Sequence, residues 1–164
     1  RWDTWGMEHT LALIILPMLQ QIKKNKYGSP FVDDEDVPEH LRSTAAPPKE
    51  NEWDTDENFF KRHEWLLDEL IWTFDSLLNH SDIEETFYSG EADYLSQPLD
   101  KDNKPIGEPT KFSSRVKNPD IKWYQMVQGP DHTLEHDKAA HDAFEARIQN
   151  GLRLFGKYFR QLSD

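Results

Sequence analysis

Seven histidines and 31 acidic residues are the groups through which this 164-residue chain could do chemistry, because it holds no cysteine. Without thiols there is no disulfide, no thiolate nucleophile and no thiolate zinc site, which leaves His, Asp and Glu as the strong metal ligands. Four of them fall on or beside the apolar faces of helical segments: Glu8, His63, Asp137 and His141. Polar groups on buried faces need partners, because burial without one is costly. If the N-terminal ends of three helices meet, these four side chains converge on a divalent metal, as carboxylates and imidazoles do inside helical bundles. The chemistry would then be metal-dependent hydrolysis of a phosphorylated small molecule. The plainer expectation is that each His makes one hydrogen bond at a helix boundary, with no cofactor at all.

Other acidic and histidine patterns are less specific. His136-Asp137 and His141-Asp142 are adjacent pairs of the kind used in metal phosphohydrolases. Glu64, Asp68 and Glu69 lie at helical spacing, as magnesium-holding carboxylates do in helical nucleotide pyrophosphohydrolases, but no clear ExxD follows on a later helix. The run Asp33-Asp34-Glu35-Asp36 lacks the alternate spacing and central glycine of a calcium loop. It reads as a solvated segment or as a contact for a basic partner. Phosphate-cradling loops, a dinucleotide-binding glycine pattern, a nucleophile elbow and the zincin HExxH are all absent.

Three periodic segments must position these groups. The first runs from about Asp3 to Lys24, with Asp3 or Thr4 as cap and Met7, Leu11, Ile14, Ile15, Met18 and Ile22 on one face. Pro17 lies inside it and predicts a kink, since it removes a backbone donor. The second runs from about Thr55 to Asn79, with Asp54 and Glu57 at capping-box spacing. Its wide stripe takes in Phe59, Phe60, His63, Leu66, Leu67, Leu70, Ile71, Phe74, Leu77 and Leu78. Trp65 and Trp72 lie nearly opposite, so the helix has a second apolar surface. The third runs from about Lys138 to Leu162, with Phe144, Ile148, Leu152, Phe155, Phe159 and Leu162 as its stripe. Gly151 sits inside that stripe and would let another helix approach closely.

Two long connections separate the helices. Residues 26–53 are rich in proline and acid and should wrap the surface, pinned by Phe31, Val32, Val37 and Leu41. Residues 81–137 carry short strand-like runs at Thr86-Phe87-Tyr88 and Lys122 to Val127, and Thr133 to Glu135 could pair with Trp123 to Val127 as a hairpin. The fold class expected is therefore mainly α. Three long amphipathic helices pack as a bundle in a single domain, with a small β-hairpin or irregular insertion before the last helix. The two-faced second helix and Gly151 predict a homo-oligomer.

Charge narrows the functional classes. The net charge of −12 repels phosphate backbones, and no basic stripe reverses it locally, which disfavours direct nucleic-acid binding. The longest apolar run, Leu11 to Leu19, is about half the length of a transmembrane helix and contains Pro17, so no membrane partner is expected. The residues after Arg1 are polar and aromatic and lack the pattern of a secretory leader.

Several longer runs resemble a family of small, uncharacterised proteins encoded by tailed bacteriophages. They are Asp3-Thr4-Trp5, Ile15-Leu16-Pro17-Met18-Leu19, Gly28-Ser29-Pro30-Phe31-Val32-Asp33-Asp34-Glu35-Asp36-Val37-Pro38 and Gly151-Leu152-Arg153-Leu154-Phe155-Gly156-Lys157-Tyr158. The resemblance spans most of the chain and is weakest around Asp93 to Val116. It implies a phage source and the bacterial cytoplasm as working compartment, and brings no activity and no catalytic residues.

The expectation is then a non-catalytic accessory protein that binds a basic host or phage protein through an acidic, aromatic-bearing surface, with Trp65, Trp72, Asp33, Asp34, Glu35 and Asp36 as the contact residues. The metal hydrolase built on Glu8, His63, Asp137 and His141, and a minor virion or assembly component, are the alternatives.

Overall fold

The computed structural model describes residues 6–25, 28–111 and 118–162. These divide into two compact units, one from the residues up to Ile83 together with those from Ala139 onward, the other from those between Glu84 and Lys138.

The first unit contains α1 (Met7–Asn25), α2 (Phe59–Leu78) and α4 (Lys138–Tyr158), and α3 (His80–Glu85) leads out of it. The second contains β1 (Tyr88–Ser89), β2 (Tyr94–Leu99), β3 (Trp123–Gln128) and β4 (Glu135–His136). The expected three-helix bundle does not form. Among the described residues there are four α-helices and two small antiparallel two-stranded sheets, and only α1 and α2 lie side by side along their length.

Their pairing is antiparallel: Lys23, near the end of α1, bonds Asp68 of α2, and Glu8, near its start, shares a recess with Leu77 and Leu78. Ala12, Leu16 and Leu19 of α1 close on Leu66, Leu70 and Phe74 of α2, and α4 adds Leu154 and Tyr158. Pro17 is accommodated inside α1, on its exposed side.

The third helix docks differently from its predicted stripe. Ile148, Gly151, Leu154 and Tyr158 are the buried residues of α4, while Leu152 and Phe159 are exposed. The face is rotated because Tyr158, amphipathic at its tip, finds a buried carboxylate for its hydroxyl. Gly151 sets the closest approach: a Cβ built there would lie 1.8 Å from Thr73 Oγ1 and 2.8 Å from Thr73 Cβ. Phe155 packs edge-on to Phe74 beside this point.

Helix starts also differ. The Asp54–Glu57 capping box does not form; α2 begins at Phe59, after Asn58, whose side-chain amide donates instead to the carbonyls of His40 and Arg42. The predicted cap of α1 at Asp3 or Thr4 lies outside the described residues.

The connection after α1 forms three 3-10 turns (Asp34–Asp36, Glu39–Leu41, Ser43–Ala45). Val32 and Val37 are buried as expected, but Phe31 faces outward.

In the second unit, the predicted hairpin between Thr133–Glu135 and Trp123–Val127 is replaced by two other pairings. Strand β3 pairs with β2, from Tyr94 opposite Gln128 to Leu99 opposite Trp123. Glu135 and His136 of β4 pair with Ser89 and Tyr88 of β1. Strand β2 contains Pro98, which cannot donate to a ladder. Its carbonyl is met by the Ile106 N–H, and Ser96 exchanges both backbone bonds with Thr110, so residues 105–110 cover the second edge of β2.

Candidate functional site

The acidic run after α1 is held from both sides. Tyr158 Oη accepts the Asp33 N–H at 2.9 Å and donates to Asp36 Oδ2 at 2.6 Å. The Lys157 ammonium sits among Asp33 (2.6 Å), Asp36 (2.5 Å) and Glu35 (3.1 Å). Arg153 reaches the other oxygen of Asp36 at 2.8 Å. Among the described residues, Asp33, Glu35 and Asp36 are the one group of three whose ligand atoms lie close enough to hold an ion. A protein ammonium already occupies that centre.

The consequences for ionisation follow. Burial pushes the Asp36 carboxyl up, but the hydrogen bonds from Lys157, Tyr158 and Arg153 outweigh it and hold it below the usual carboxylate range. The Tyr158 phenol is pushed up to about 12, by burial first and then by its bond to Asp36. Hydrogen bonds to Asp33 and Asp36 raise the Lys157 ammonium above its ordinary value.

Asp34 points the other way. Its carboxylate accepts from the Ser43 N–H at 2.8 Å and from the Ser43 hydroxyl, and lies 3.7 Å from Arg62. Arg62, only 2% exposed, forks onto Asp56 at 2.9 and 2.7 Å and donates to the Leu41 carbonyl at 3.1 Å. Hydrogen bonds from Arg62 hold the Asp56 carboxyl down against the opposing effect of burial. The run 33–36 is thus a structural clasp that ties the connection to α4 on one side and α2 on the other. Its four carboxylates all engage side chains of their own unit.

Within the first unit, two of the four predicted metal ligands, Glu8 and His63, lie toward opposite ends of α2. Glu8 lines a recess with His9, Leu77, Leu78, His80 and Ser81 at the C-terminal end of α2. His63 is buried 14 residues before Leu77 on the same helix, roughly 21 Å along its axis at about 1.5 Å per residue. His141 lies in the first turns of α4, whose neighbouring Phe144 and Glu145 reach Trp72 and His80. Asp137 belongs to the second unit, where its N–H donates to the Phe87 carbonyl at 2.8 Å. The Glu64/Asp68/Glu69 face is also partly neutralised: Lys23 bonds Asp68, and Arg147 forks onto Glu69 at 3.1 and 2.6 Å.

Trp65 and Trp72 are half-buried against their own chain. Trp65 packs against the core. Trp72 meets Phe144 edge-on, and the Arg147 guanidinium lies 3.7 Å from its ring centre.

Phe31, Trp53 and Phe60 of the first unit face solvent, as do Phe159 in the same unit and Tyr88, Tyr94 and Trp123 in the second. Phe31 and Phe59 line a shallow recess of about 360 Å³ with Asp34, Asp54, Thr55, Asp56 and Arg62. Phe60 packs edge-on to Phe59, and Trp53 precedes Asp54. An adjoining recess shares Asp54 and Asp56 and adds Glu50 and Glu57. The segment 49–62 carries five acidic and three basic residues, and Arg62 is already committed to Asp56. Acid therefore outnumbers base over this segment, although Lys49 lines both recesses.

No protein-family model, no curated protein and no solved structure matches this chain. The site accordingly rests on its geometry. Periodicity pointed to Trp65 and Trp72 because they stand off a helix stripe, and it passed over Phe31 and Trp53 because a proline-rich connection has no periodicity to break. The signal that was present is compositional: Trp53 stands between Glu52 and Asp54.

Proposed function

We propose that this chain is a non-catalytic protein-binding module, an accessory protein of a tailed phage, that takes a basic partner carrying apolar side chains. One observation carries the reading: Phe31 stands exposed at a recess whose buried charge is already paired, and Trp53, 84% exposed, and Phe60 are chain neighbours of its lining residues Asp54 and Phe59. Exposed aromatics over a paired, rigid base suit a protein contact better than a reaction centre. The acidic rim adds attraction for a basic segment and speeds encounter. The reading keeps the kind of surface expected, acidic and aromatic-bearing, but moves it from Trp65, Trp72 and the run 33–36 to Phe31, Trp53 and Phe60 with Glu50, Asp54 and Glu57.

The test uses dye-labelled synthetic peptides that alternate Lys or Arg with Leu, followed by anisotropy. Wild type binds them, more weakly as salt rises. The variant Phe31→Ala/Trp53→Ala/Phe60→Ala, which keeps the charge, loses at least about 10-fold in affinity, or about 1.4 kcal/mol. Equal binding by the two proteins would remove the aromatic surface from the account.

A further inference from the structure

Helix α1 buries Ala12, Leu16 and Leu19 and leaves the other side open. On that side stand Met7, Leu11, Ile14 and Met18, each between 45% and 61% exposed. The steps of four, three and four residues are those of the apolar seam of a two-stranded coiled coil. Four such side chains offer on the order of 100 Å² each. Two copies meeting here would bury about 800 Å² in all, the size of a weak, transient contact.

We propose that the outer face of α1 pairs with the same face of a second copy, antiparallel about a two-fold axis. The spacing is self-complementary in that sense: reversal places Met7 opposite Met18 and Leu11 opposite Ile14, so every level is apolar on both sides. Charge favours a second copy as occupant. The chain carries −12 overall, yet positions 9–22 contain no Asp, Glu, Lys or Arg, which makes this the stretch where two like-charged copies can touch. Charge also selects the direction. Parallel copies would set Glu8 beside Glu8 and Lys24 beside Lys24. Antiparallel copies bring the Glu8 end of one helix to the Lys24 end of the other and oppose their dipoles. The modest area makes the dimer reversible and concentration-dependent.

Sedimentation equilibrium over a concentration series tests the pairing. Wild type moves from 19.4 kDa toward twice that mass, and Ile14→Glu, with unchanged far-UV circular dichroism, stays at the monomer mass. Because the chain has no cysteine, direction is read by disulfide trapping. A mixture of Met7→Cys and Met18→Cys proteins cross-links under mild oxidation, whereas Met7→Cys alone does not, its thiols being about 16 Å apart along the pair. If Ile14→Glu loses helicity, the trapping pattern decides. A monomeric wild type at high concentration, or dimers that Ile14→Glu leaves intact, would overturn the proposal. So would a monomer that sediments with phosphatidylcholine vesicles and is released by Ile14→Glu, which would make lipid the occupant.

Discussion

Replacing Gly151 with alanine opposes two effects of known size. Alanine in place of glycine inside a helix stabilises by about 1 kcal/mol through propensity. At Gly151 the added methyl meets Thr73, whose Oγ1 is fixed by donating to the Glu69 carbonyl at 2.7 Å. Rotating Thr73 would move Oγ1 and Cγ2 but leave its Cβ 2.8 Å away, so α4 must back off by at least about 0.6 Å to reach ordinary contact. That separation loosens Ile148, Leu154 and Tyr158. Overpacking of this kind costs about 1–3 kcal/mol, so set against the propensity gain the net loss for Gly151→Ala is about 0–2 kcal/mol, centred near 1. Gly156 is the internal control: it lies in the same helix with nothing within 4 Å of its added Cβ. Gly156→Ala should stabilise by about 0.5–1 kcal/mol. Urea unfolding followed by far-UV circular dichroism reads both as midpoint shifts of opposite sign, on the order of 0.5 M with m-values of small proteins. If Gly151→Ala is as stabilising as Gly156→Ala, α4 does not dock on α2 at Thr73.

Further outcomes follow from the clasp. The Asp36 and Asp56 carboxyls lie below the ordinary 3.8 in the folded chain, so their contribution is complete above that value and is lost as pH falls through it; thermal melts of the native protein should stay level down to about pH 5 and drop steeply below 4. At the other end the Tyr158 phenol, raised from 10.0 to about 12, contributes stability present below pH 10 and lost as pH rises through 12. Tyr158→Phe removes the acceptor of the Asp33 N–H and a donor to Asp36, at a cost of about 1–3 kcal/mol in urea unfolding. Arg62→Met keeps the apolar stem but strips Asp56 and the Leu41 carbonyl of their donor, and should cost about 2–4 kcal/mol by the same measurement.

How far the fold could be read from sequence depended on distance along the chain. Helix positions were legible because periodicity is local: α1, α2 and α4 lie within a few residues of the predicted segments, and Gly151 marks a close helix approach. The rotation of α4 was not legible, since it depends on Tyr158 meeting Asp36, 122 positions away. The clasp was missed for the same reason, as an acidic run looks solvated until Lys157 and Arg153 arrive from the far end of the chain. Strand β2 was hidden by Pro98, and its partner β3 was given to the wrong neighbour because tight turns favour adjacent pairing. Trp72 suits a partner surface and an intrachain contact equally well on a helical wheel, which cannot show Phe144 and Arg147 packing on it. The metal cluster required three helix starts to meet, and the antiparallel pairing of α1 with α2 separates Glu8 from His63.

If Phe31, Trp53 and Phe60 form the binding surface, the clasp made by Asp33, Glu35 and Asp36 with Lys157, Arg153 and Tyr158 stays intact when a partner binds. Amide chemical-shift mapping on isotope-labelled protein, titrated with the tightest of the Lys/Leu or Arg/Leu peptides, tests it most directly. The account predicts shifts centred on Phe31, Trp53, Thr55 and Phe60, with Glu35 and Asp36 little changed. Shifts centred on Glu35, Asp36 and Lys157, or on the recess lined by Glu8 and His80, would contradict it.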